Sequence, residues 1–193
     1  MLVHNRIIRD IYTYLDLETR CVFEQTNYYA YNLTNVGLID CFVSKHEKII
    51  TNEILCQKKY KNLKKIKPHS KKITDVGISK MRLHTLDASD DSKITDVGIS
   101  KMQLHTLYTW NNSKITDVGI SNMRLHTLYA YNNLNITYVG ISKMRLHTLD
   151  ASCNLKITDV GISKMRLHTL YTSDNSKITD VGISKMQLYK LSR

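Results

Sequence analysis

"LHTLYTWNNSKITDVGISNMR", residues 104–124, decides the fold, because residues 125–145 repeat it as "LHTLYAYNNLNITYVGISKMR". Leu83, Leu104, Leu125, Leu146, Leu167 and Leu188 recur every 21 residues. Ile73, Ile94, Ile115, Ile136, Ile157 and Ile178 keep the same spacing, and so do every methionine except Met1 and every glycine except Gly37. A period this short and strict means stacked coils, in which each unit covers the apolar face of its neighbour.

With the leucine as position 1, the unit reads L-H-T-L-x-[AT]-x-x-[ND]-x-[KN]-I-T-x-V-G-I-S-[KN]-M-[RQ]. The alternation in "LHTLYT" predicts a short strand with Leu104, Leu107 and Thr109 inward and Thr106 and Tyr108 outward. A 21-residue return is too long for a hairpin, so successive strands are expected to run parallel. Asn112, with its counterparts Asp91, Asn133, Asn154 and Asn175, falls where the chain leaves the strand, a place for an amide ladder that satisfies turn backbone groups. In "ITDVGISNM", Thr116 reads as an N-cap and Asp117 as a first-turn acid that complements the helix dipole. The helix is one or two turns long. Gly119 inside it predicts 3-10 or irregular geometry, or a close approach between coils. Leu104, Leu107, Ile115, Val118, Ile120 and Met123 are the six side chains expected inside. Their burial is smaller than the entropy lost by ordering a whole coil, so a coil needs its neighbours to fold.

This unit resembles the leucine-rich repeat, with its LxxLxLxxN core, and most closely the "ITDxGI" type found in F-box proteins. The likeness covers about residues 62–193. One departure is position 6, where Ala88, Thr109, Ala130, Ala151 and Thr172 stand in place of leucine and suggest a tighter turn under the strand. The resemblance implies an α/β solenoid, with a parallel sheet on a concave face and short helical or 3-10 turns on a convex face.

Upstream the pattern blurs. "NLKKIKPHSKKIT" aligns Leu63 with position 1, Ile66 with position 4 and Ile73 with position 12, one residue short, which reads as a degenerate leading repeat. Residues 3–33 read as helical, with a stripe of Ile7, Ile8, Ile11, Tyr14 and Leu15. This segment resembles an F-box, best at the elbow Tyr14-Leu15-Asp16-Leu17, although Val3-His4 stands where the F-box pattern has Leu-Pro. The resemblance implies that Ile8, Ile11, Tyr14, Leu15 and Leu17 dock to a Skp-type ubiquitin-ligase adaptor. The other reading is an amphipathic cap over the first coil. Three regions follow: a helical F-box-like or capping module at 1–40, the degenerate repeat with a lysine-rich connector at 41–72, and the solenoid at 73–193. At the far end Leu188 and Leu191 begin a further strand with no polar capping helix after it, so the expectation is that this coil is either shielded by self-association or frays.

The 193 residues are 42% hydrophobic and carry a formal charge of +11. Arg6, Arg9 and Asp10 break the apolar run that a signal peptide needs, and no segment approaches membrane-spanning length. Cys21, Cys41, Cys56 and Cys153 show no metal or disulfide spacing. An intracellular protein, cytoplasmic or nuclear, with free thiols is expected. Residues 57–72 hold eight lysines and no acid. Lys58, Lys59, Lys61, Lys64 and Lys65 are therefore candidates for an anionic partner, whereas the cations of the repeats read as a solvated edge.

Five histidines, His84, His105, His126, His147 and His168, form a column at position 2. A metal array there would need further donors, and none accompanies each rung. We read the column as a structural or surface ladder whose crowding weakens proton binding. No catalytic constellation or cofactor motif emerges, so no enzymatic activity, cofactor or metal is expected. Variation between coils concentrates at positions 5, 7 and 8. On the face that the leucine-rich-repeat resemblance assigns to partners, it yields an aromatic centre of Tyr108, Trp110, Tyr129 and Tyr131, with Tyr171 further along. Asp87, Asp90, Asp150 and Asp174 stand at the margin. Aromatic centre and charged rim are the anatomy of a protein-binding surface. The expected function is a non-enzymatic protein-interaction module, and the resemblance implies the substrate-recognition subunit of a cullin-RING ubiquitin ligase. The alternatives are nucleic-acid or anionic-surface binding through 57–72, and a purely structural array.

Overall fold

The computed structural model describes residues 51–56, 64–66, 72–90, 92–184 and 186–193. The F-box-like segment, with Ile8, Ile11, Tyr14, Leu15 and Leu17, lies outside the described residues, as do Lys58, Lys59, Lys61 and Asp91.

Each unit folds as a strand of two or three residues, a turn and a one-turn helix. The order is α1 (Asn52–Leu55), β1 (Lys65–Ile66), α2 (Asp75–Ile78), β2 (Thr85–Asp87), α3 (Asp96–Ile99), β3 (Thr106–Tyr108), α4 (Asp117–Ile120), β4 (Thr127–Tyr129), α5 (Tyr138–Ile141), β5 (Thr148–Asp150), α6 (Asp159–Ile162), β6 (Thr169–Tyr171), α7 (Asp180–Ile183) and β7 (Lys190–Ser192). The seven strands form one parallel sheet in chain order. Register is fixed by the period, with Thr106 opposite Thr127 and Leu107 opposite Leu128. The architecture is thus an α/β repeat solenoid, compatible with the leucine-rich-repeat resemblance.

The core runs the length of the stack between sheet and helices. Position 4 lies under the strands, with Leu86, Leu107, Leu128, Leu149 and Leu170 fully buried, and the position 12 and 17 isoleucines pack against it. The small residues at position 6 are buried as well, and Thr109 Oγ1 donates to Tyr129 O at 3.2 Å. Ile66 is buried and pairs in register with Leu86, which places the degenerate repeat where its alignment predicts.

Two expectations about the helix need adjustment. The turn is α-helical, and the close approach at glycine is real: a Cβ on Gly119 would lie 2.2 Å from Asp96 Oδ1. Val118 is not in the core. It is 74% exposed, and Val76, Val97, Val139, Val160 and Val181 are exposed with it. In a single turn the second helical residue faces away from the sheet, while Gly119 and Ile120 face the neighbouring coil and the core.

Candidate functional site

The residues singled out at positions 5 and 7 sit at and just past the ends of the strands. Strand register lines up position 5 as Asp87, Tyr108, Tyr129, Asp150, Tyr171 and Ser192. Each of these side chains is half-buried. Tyr108 and Tyr129 stack with ring centroids 4.4 Å apart and planes 4° from parallel. Trp110 meets both edge-on, at 6.1 and 6.3 Å, and Tyr131 packs on Trp110 at 6.3 Å. These are favoured aromatic geometries, so four rings from two coils form one cluster. Trp110 and Tyr131 remain 39% and 38% exposed.

Asp87 and Asp150 flank the stacked tyrosines in the column, and each has a local task. Asp87 Oδ1 accepts from Ser89 N at 3.2 Å, and Asp150 Oδ1 accepts from Ser152 N at 2.9 Å. Tyr171 stands apart from the cluster, beyond Asp150, with Lys190 Nζ 5.1 Å from its ring centroid. Burial first, and then the neighbouring phenols and Asp150, push the Tyr129 phenol above its ordinary value. Tyr131 is also raised, first by the neighbouring Cys153 thiol, then by burial and the nearby carboxylates. Both phenols therefore stay protonated at neutral pH.

Position 8 has a different explanation from the one its variability suggested. Asp90, Asn111, Asn132, Cys153 and Asp174 all adopt left-handed backbone, with φ between 48° and 57°. Among residues with a side chain, aspartate and asparagine tolerate this conformation best, so most of the choice there is made by the turn. Their side chains chain together: Asn132 Nδ2 donates to Asn111 Oδ1 at 2.9 Å, and Asn111 Nδ2 to Asp90 Oδ1 at 3.2 Å. Asp174 continues the row beside Cys153, with Oδ2 3.8 Å from Sγ.

The histidine column forms a continuous stack. Ring centroids lie 4.4 to 4.5 Å apart from His84 to His168, and Tyr189 closes the stack at 4.7 Å. Most of these rings place Nδ1 near the hydroxyl of the following threonine, as His126 does with Thr127 at 3.2 Å. Burial and the flanking His105 and His147 lower the proton affinity of His126. Among the described residues no group of three or more His, Cys, Asp or Glu side chains could hold a metal ion. Of the lysine candidates, Lys64 and Lys65 are exposed and line an open groove with Arg82, His84, Lys101 and Gln103. Cys56 and Cys153 are free thiols.

Two features were missed in the sequence. One is a row of carboxylate pairs between coils: Asp75, Asp96, Asp117 and Asp159 each accept from the backbone N–H and hydroxyl of the next coil's N-cap threonine, at 2.6 to 2.8 Å. Its signal was the T-D pair, which recurs in every copy except Thr137-Tyr138 but whose reach into the next coil cannot be seen in one unit. The other is α1, where Asn52 takes the aspartate's place on Thr74; the signal there was "TNEIL", an echo of "TDVGI".

The sequence matches no protein-family model and no curated protein. No helix among the described residues is long and apolar enough to cross a membrane.

Proposed function

We propose that this protein is a non-enzymatic protein-interaction scaffold whose partner docks on the aromatic centre of Tyr108, Trp110, Tyr129 and Tyr131. One observation carries the reading. In an array that otherwise repeats its residues coil by coil, four aromatic rings from two adjacent coils converge at one place, and two of them remain more than a third exposed. Large rigid rings beside carboxylates and protonated phenols supply apolar area and directional hydrogen bonds together, the composition of interface hot spots. On the F-box and leucine-rich-repeat resemblance, we further propose that the docked protein is a ubiquitin-ligase substrate and that residues 1–40 engage a Skp-type adaptor.

Proximity labelling in cells, with wild type compared with the Trp110→Ala/Tyr131→Ala double variant, tests the first part. The wild type is expected to enrich a set of proteins that the variant loses, because truncating hot-spot aromatics costs about 2 kcal/mol or more each. Identical sets from both would end the reading. Binding of full-length protein to purified adaptor tests the second part, and failure to form a complex would remove the ubiquitin-ligase role while leaving the first part standing.

A further inference from the structure

Charge on this molecule is segregated. Between each of the helices α2 to α7 and the strand that follows it the chain reads S-[KN]-M-[RQ]-L-[HY], with no acid in any copy. Arg82, Arg124, Arg145 and Arg166 occupy one position of this loop, and Lys80, Lys101, Lys143 and Lys164 occupy another; all eight are exposed. The backbone keeps them in register. His105 N donates to His84 O, His126 N to His105 O and His147 N to His126 O, at 2.9 to 3.0 Å, only two residues beyond the arginine position. With about 4.8 Å between neighbouring strands, the row from Arg82 to Arg166 is about 19 Å long. Lys64 and Lys65 extend it at the groove they share with Arg82 and Lys101.

Nothing within the described residues neutralises this row. None of the eight cations has an ion pair there. The aspartates of the helices are already held by the threonines of the next coil. Like charges in register on adjacent strands oppose stacking, so the row works against the fold that carries it.

We propose that this edge binds the phosphodiester backbone of a single-stranded nucleic acid. At least one of the two cations recurs at every coil, even where Gln103 or Asn122 replaces the other, so the row holds little register information of its own. It matches a ligand that is itself a repeating anion, bound without regard to sequence and free to slide. A narrow strip of two columns meets a line of charge, not the plane of a bilayer. The bases are not assigned to the aromatic centre, where Asp87 and Asp150 repel phosphate. The site is therefore separate from the protein-binding face.

The test is fluorescence anisotropy of full-length protein with a labelled 20-nucleotide oligothymidylate across about 50 to 200 mM salt. Contact with about four phosphates predicts that log K falls against log salt with a slope near −3, about 50-fold over that range. The Arg124→Gln/Arg145→Gln variant changes only exposed side chains, and its slope is expected to be about half that of wild type. Arg124→Lys/Arg145→Lys is expected to retain the wild-type slope, because phosphate contact of this kind needs charge and not the guanidinium fork. Trp110→Ala/Tyr131→Ala is expected to bind the oligonucleotide as wild type does. Absence of binding at about 50 mM salt would overturn the proposal. So would a wild-type slope in the glutamine variant, which would move the site to residues 57–72, or binding of phosphatidylserine vesicles without binding of the strand.

Discussion

At the scale of single residues, the pair that joins one coil to the next is an aspartate at the first helical position and a threonine 20 residues later. Asp117 Oδ1 accepts from Thr137 N at 2.7 Å and its Oδ2 from Thr137 Oγ1 at 2.6 Å. Thr137 in turn caps its own helix through Val139 N. Charge-assisted bonds of this kind are the stronger class, and the carboxylate also sits at the positive end of the helix dipole. Close packing here leaves no room for a side chain on Gly119, whose Cβ would meet both the Asp96 carboxylate and its Cα. One coil breaks the row. Tyr138 stands where the others have aspartate, and Thr158, its counterpart one coil on, makes no side-chain cap bond. Tyr138→Asp is therefore expected to stabilise the protein by about 1 kcal/mol, read as a higher denaturant midpoint at unchanged m. A lower midpoint would mean that repulsion from Asp117 and Asp159 outweighs the new bonds.

At the scale of the element, the turn after each strand depends on a buried amide. Asn154 Nδ2 faces Asn133 O at 2.6 Å, Ile136 O at 3.0 Å and Ala130 O at 3.3 Å, while its Oδ1 accepts from Lys156 N at 3.0 Å. One side chain thus satisfies carbonyls of the preceding coil and closes its own turn. Asn154→Ala takes the donor from Ile136 O and the acceptor from Lys156 N, while Ala130 O and Asn133 O keep backbone donors, so a loss of about 1 to 3 kcal/mol is expected by chemical denaturation. Asn154→Asp, which keeps the acceptor and removes the donors, is expected not to rescue it. The strand and the asparagine turn were legible in "LHTLYTWNN", because inward leucines and a turn amide have few alternatives. Val118 was not: at about 3.6 residues per turn, side chains two residues apart point to nearly opposite sides, so Val118 and Ile120 cannot both face the core, and the direction of the turn decides between them.

At the scale of the molecule, the identical residues of successive coils become continuous columns, and in the histidine stack this packing bears on the protonation of His126. Burial, and the charge that His105 and His147 would carry, make His126 a weaker base than in an unfolded chain. The flanking Arg124 and Lys143 rows add no anion to offset a proton there. Because the folded state holds that proton less tightly, stability is full above the unfolded value of about 6.5 and is lost as pH falls through it. Urea midpoints are therefore expected to drop between about pH 7.5 and 5.5. His126→Gln, which cannot titrate, is expected to show a shallower drop; an equal drop would place the acid sensitivity elsewhere.

The sequence by itself determined the 21-residue coil, the parallel sheet, the core positions other than the helix valine, and the amide turn, because a stack of near-identical units admits one register. It also marked Tyr108, Trp110, Tyr129 and Tyr131 as the place where the array varies. Only the tertiary structure decided that these rings touch one another while Tyr171 stands alone beyond Asp150. It also showed that position 8 answers to left-handed backbone, that each aspartate serves the next coil's threonine, and that scattered lysines and arginines fall into one uncompensated row. The physical reason is the same in each case. One unit states which residues recur, but contacts between coils depend on the direction each side chain takes out of the turn, and repetition along the chain carries no record of that direction.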